Sequence, residues 1–196
     1  MEPLRPTTRL LILIAALALI STYFVPLWEI QLWAPQYPEG LNMKIWLSRI
    51  SGDFDIINGI NHYIGMKSIK QELFPEFKYM RFVVGAMIGI GLVPALTGRR
   101  RWLYAFVAAL CLFAAFGVID FYRWGYDYGH NLNPHAAISV PGMSYSPPIF
   151  GYKSLLNFVA YSGPDIGGWV LIGVGIIAVA LAGWEQLLAR AKRLKK

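Results

Sequence analysis

Four stretches of the chain run for 17 to 19 residues without one charged side chain: Leu10–Trp28, Phe82–Gly98, Trp102–Ile119 and Ile166–Trp184. A bilayer core of about 30 Å takes roughly 20 apolar residues at about 1.5 Å rise each, so each stretch is long enough to span with little tilt. An isolated segment satisfies its backbone in hydrocarbon only as a helix. The sequence therefore predicts an all-α integral membrane protein. Four transmembrane helices cover 10–28, 82–98, 102–119 and 166–184, and two large outer loops, 29–81 and 120–165, carry short interfacial helices.

Charge sets the expected orientation. Ten of the eighteen basic residues lie at the two ends and in the Arg99–Arg101 turn, with only Glu2 and Glu185 as acids beside them. The remaining eight face nine acids in the two loops. The positive-inside rule then places both termini and the turn in the cytoplasm and the loops outside, across an inner membrane. On a soluble protein a net charge of +7 would raise nucleic-acid binding; here it is a topological signal. The first stretch reads as an uncleaved signal anchor, because it runs through Phe24 and Val25 to Trp28 with no clear small-residue cleavage site.

The loops hold Trp, Tyr, Ile and Met throughout, a composition that folds. In the first, 32–40 reads as extended, 41–50 as an amphipathic interfacial helix with Leu41, Ile45 and Trp46 on one face, 56–66 as a short apolar segment, and 67–78 as a mixed-charge helix. In the second, 125–151 reads as a lid-like turn region and 154–161 as a short helix. Gly85 and Gly89 form a G-x-x-x-G, read as packing inside the bundle or a partner interface. The single cysteine, Cys111, excludes a disulfide framework within one chain and reads as packing. No hydrolase, transferase or nucleotide-binding signature is present, so a non-enzymatic role is expected.

All three histidines lie in the outer loops, accompanied by methionines: His62 and Met66 in the first, His130, His135 and Met143 in the second. Imidazole suits copper, zinc, iron and nickel, whereas thioether selects Cu(I), so this set points to copper before zinc. Asp127, His130 and His135 would instead make a two-His, one-carboxylate set for a harder ion. Ordinary loop histidines bonded to backbone carbonyls are the plain alternative. A second group, Tyr122, Trp124 and Asp127 at the outer end of the third span, reads as a quinol headgroup pocket, and its aromatics equally as a docking surface for a periplasmic protein. Asp120 and Arg123, three apart, read as a structural pair.

Three runs carry a resemblance: Ala34-Pro35-Gln36-Tyr37-Pro38-Glu39-Gly40-Leu41, the stretch from Asp55 to Met66, and Tyr126-Asp127-Tyr128-Gly129-His130-Asn131. They resemble a family of small four-span bacterial membrane proteins encoded beside clade II (atypical) nitrous oxide reductases (NosB-like). The resemblance implies an accessory role in denitrification, in copper-site assembly or electron supply to a periplasmic copper enzyme. It implies a membrane or periplasmic protein partner and assigns no ligands.

Overall fold

The structure is a computed structural model describing residues 3–155 and 157–194. The described residues form five α-helices and five strands. Helix α1 (Pro6–Ala18) continues as a 3-10 turn over Leu19–Tyr23. Strands β1 (Trp28–Ala34), β2 (Tyr37–Ile45) and β3 (Ile50–Gly52) follow, then helix α2 (Phe54–Tyr63). Helices α3 (Glu76–Thr97) and α4 (Arg100–His130) form a hairpin; the β4 (Gly151–Leu155) and β5 (Phe158–Pro164) hairpin then leads into α5 (Ile166–Leu194). Four helical segments, 6–23, 76–97, 100–130 and 166–194, are long and apolar enough to cross a membrane.

The fold is mixed α/β, which corrects the all-α expectation. The five strands make one antiparallel sheet in the order β3-β2-β1-β5-β4. Its sequence signal is period two. In β1, Trp28, Ile30 and Leu32 alternate with Glu29, Gln31 and Trp33; in β2, Leu41, Met43 and Ile45 alternate with Asn42 and Lys44. Leu41 and Ile45 are four apart and satisfy a helical and a strand period alike, whereas Met43 between them fits only the strand. Register puts Ile30 opposite Met43 and Leu32 opposite Leu41, so these side chains share a face. That face buries Ile57 of α2 and packs Phe54 and Ile60. The opposite face carries Glu29, Gln31, Asn42 and Lys44, the two-sided pattern of an antiparallel sheet wet on one side. The described residues of 41–50 and 154–161 are thus strand and turn instead of interfacial helix.

The sheet hangs from the bundle by its two middle strands. β1 starts five residues after the 3-10 turn ends at Tyr23, and β5 meets α5 across Asp165. The Leu27 carbonyl accepts from the Asp165 N–H (3.1 Å) and the Pro26 carbonyl from the Gly167 N–H (2.8 Å). Lys44 adds an ion pair to Asp165 at 2.9 Å. Inside the bundle, Ile12, Leu19, Val84, Leu103, Phe106 and Ala178 form the core. The close approach is at Gly91, where a Cβ would lie 2.8 Å from the Phe106 ring and 2.9 Å from Ala16. Gly89 faces open space and Cys111 is exposed on the bundle surface.

The Arg-turn end is locked by charge. Glu185 is fully buried and accepts from Thr8 Oγ1 (2.7 Å), Arg100 (2.8 Å) and Arg5 Nε (3.3 Å). Arg9 donates to the Ala95 and Leu96 carbonyls at the end of α3, where Gly98 takes the left-handed conformation (φ +65°) that closes the helix.

Candidate functional site

At the sheet end, the apolar sheet face stops short of α3 and α4 and leaves a cavity of about 230 Å³. Ile30, Met43 and Ile45 form one wall. Phe77 and Met80 of α3 and Phe121, Trp124 and Tyr128 of α4 form the other, and Met66, Phe74 and Pro147 border it from the connecting segments. Aromatic rings pack densely there. Phe74 and Trp124 lie 4.4 Å apart by centroid, and Trp124 and Tyr128 5.7 Å. Gly117 leaves room where a side chain would project.

Two carboxylates break the apolar lining, Glu76 in the first turn of α3 and Asp120 on α4. Glu76 Oε2 is buried without a hydrogen-bond partner. Charge on Asp120 is opposed first by its burial and then by Glu76, and is favoured by Arg123. Two of the donors nearby are already engaged: Trp46 Nε1 donates to Ser51 Oγ (2.8 Å) and the Tyr128 hydroxyl to the Ser68 carbonyl (3.4 Å). An occupant bringing hydroxyl donors on a flat apolar ring would meet acceptors at one end and aromatic faces along its length. An unpaired buried acceptor is costly, which gives the site a reason to take such a group.

The connecting segments are pinned around this opening. Asn58 makes a two-way bond with Ile69 through its side-chain amide, at 2.6 and 2.8 Å, fixing the stretch that follows α2. Lys67 pairs with Asp127 at 2.6 Å. Asp127 lies eight residues beyond Ile119, outside the charge-free stretch. The Lys67 ammonium, together with the Asn131 amide, holds its carboxyl below the usual carboxylate range. Residues 145–147 fold back along α4, where the Tyr145 N–H donates to the Gly129 carbonyl (2.9 Å) and a Cβ on Gly129 would strike Ser146.

Of the residues expected to form a quinol pocket, Trp124 lines the cavity. Tyr122 is 55% exposed and stacks toward Tyr126 on another side of α4, and Asp127 is tied to Lys67. The carboxylates of the lining are Glu76 and Asp120; among the described residues no salt bridge joins Asp120 to Arg123, although Arg123 attracts it. A signal for them is present in the sequence: each lies 22 residues from Gly98, one before and one after it, so a helical hairpin turning there brings them to one level.

The histidines and methionines of the expected copper set lie on separate segments, and of that set only Met66 is among the cavity-lining residues. His62 ends α2, with its ring edge toward Tyr63. His130 ends α4, its ring stacked on Tyr126 at 4.0 Å and its Nδ1 within 3.0 Å of the Tyr126 carbonyl and 3.1 Å of Ser146 Oγ. The His135 N–H donates to Asn133 Oδ1, and Met143 sits in a turn bonded to Val140. Met66 lines the cavity. Among the described residues, no three His, Cys, Asp or Glu side chains gather as an ion would require. The segments of His62 and His135 do run side by side, through Asn133 N–H to the Gly65 carbonyl (2.8 Å) and Ile138 N–H to the Tyr63 carbonyl (2.9 Å).

Comparison with known proteins gives no match to this chain, whether among family models, curated proteins or solved structures.

Proposed function

We propose that this protein is a membrane-anchored, non-enzymatic accessory subunit that binds a quinol-class amphiphile at the outer membrane boundary and serves electron supply to an extracytoplasmic partner. One observation carries the reading: an aromatic-walled apolar cavity at the sheet end of the bundle whose polar lining includes two carboxylates, one with a buried unpartnered oxygen. The resemblance to the membrane proteins encoded beside nitrous oxide reductases supports the choice of a periplasmic copper enzyme as that partner. The positive-inside count supports an inner-membrane location with the sheet outside. A short-chain hydroquinone titrated calorimetrically into the detergent-solubilised protein tests the ligand; absence of any binding heat at millimolar concentration sinks the proposal.

A second reading assigns the outer segments to transient Cu(I) handling by His62, Met66, His130, His135 and Met143. The backbone bonds joining the His62 and His135 segments favour it, because they hold these two stretches of the outer segments side by side. Cu(I) competition against a chromogenic chelator tests it. Unchanged competition after combined His130→Ala and His135→Ala substitution excludes these two as ligands, and absence of competition by the unaltered protein excludes the reading.

A further inference from the structure

Resting on the quinol reading above, we infer that the cavity discriminates redox state, taking the dihydroxy form of the ring and disfavouring the quinone. A quinone head offers carbonyl oxygens, which only accept; a hydroquinone offers two O–H donors. An ionised carboxylate only accepts. Glu76 and Asp120 therefore complement the reduced head and oppose the oxidised one. Glu76 Oε2 is buried with no partner of its own, so a ligand hydroxyl relieves an unmet acceptor that a quinone would leave unmet beside a second negative oxygen.

The neighbouring donors reinforce the asymmetry. Trp46 and Tyr128 line the cavity with their polar hydrogens already given to Ser51 and Ser68. Trp124 lines the cavity with its ring against Phe74 and Tyr128. Charge on Asp120 is opposed first by its burial and then by Glu76, and is eased by Arg123, so a hydroxyl donor at its oxygens offsets a real cost. The ring itself is held by Phe74, Phe121 and Trp124, which do not distinguish the two redox forms. Affinity for the ring and preference for its redox state thus reside in different side chains.

Calorimetry on the full-length protein at pH 8, under argon, with a short-chain hydroquinone and its matching quinone separates the two claims. The expected result is at least tenfold tighter binding of the hydroquinone, a ratio that falls to within about twofold in Glu76→Gln plus Asp120→Asn while quinone affinity is kept. Equal affinity of the unaltered protein for both forms overturns the inference and leaves the ligand reading standing. Binding of neither form overturns both. Displacement of the hydroquinone by equimolar octyltrimethylammonium shows that the pair reads positive charge, and also overturns the inference. The ratio in the unaltered protein decides the matter even if the double variant fails to fold.

Discussion

Glu76 and Asp120, 44 residues apart in the chain, border one cavity from antiparallel helices and repel one another across it. Both lie 22 residues from Gly98, about 33 Å along each helix at about 1.5 Å per residue. That is close to the thickness of a hydrocarbon core of about 30 Å. With the Arg99–Arg101 turn at one face of a membrane, this length would bring the carboxylates to the opposite boundary, where the proposed quinol would have its head group.

Filling the cavity from Gly117 should abolish ligand binding without harming the fold. A Cβ at this position meets nothing within 4 Å, and the residue lines the cavity from within α4. Gly117→Leu is expected to raise helix propensity by up to about 1 kcal/mol. Its thermal midpoint in detergent should equal or exceed that of the unaltered protein, while calorimetric binding of the hydroquinone disappears.

Removing the charge of Glu185 should be among the most damaging single changes. Its carboxylate is fully buried and joins α5 to Thr8, Arg5 and Arg100. Glu185→Gln leaves the nearly buried Arg100 guanidinium without its counter-charge. Breaking a buried pair from one side costs about 3–5 kcal/mol. Thermal unfolding followed by circular dichroism should show a large drop in midpoint, and Thr8→Ala a smaller one.

The corner between β5 and α5 tolerates no side chain at Gly168. A Cβ there would lie 2.2 Å from the Leu27 carbonyl oxygen and 2.7 Å from Pro164 Cβ. Gly168→Ala should detach the sheet from α5 and yield protein that elutes as aggregate in size-exclusion chromatography. Gly173→Ala, one and a half turns further along, meets nothing within 4 Å and should elute as the unaltered protein does.

Orientation is tested by labelling from one side of the membrane. In a Cys111→Ser background, Glu39→Cys on exposed β2 should react with a membrane-impermeant maleimide in intact cells. Arg190→Cys, exposed near the end of α5, should react only after permeabilisation. The reverse pattern would overturn the positive-inside assignment and place the cavity on the cytoplasmic side.

The sequence alone determined the four apolar helices and their basic ends, because burial in hydrocarbon leaves one backbone solution and excludes charge over a known length. It did not decide the outer segments. Leu41 and Ile45 fit helix and strand equally, and the choice lies with Leu32 and Trp28 of β1, which pair opposite them, and with Ala160 of β5, which pairs with Leu32 from a distant part of the chain. The same holds for the site. Trp124 was legible as an aromatic at a membrane edge, and the count from Gly98 could have matched Glu76 to Asp120. That both face a cavity, while Tyr122 and Asp127 one turn away do not, was decided only when the sheet packed over one side of α4. A helix offers every side chain an outward direction, and it takes a second element to make one of those directions an interior.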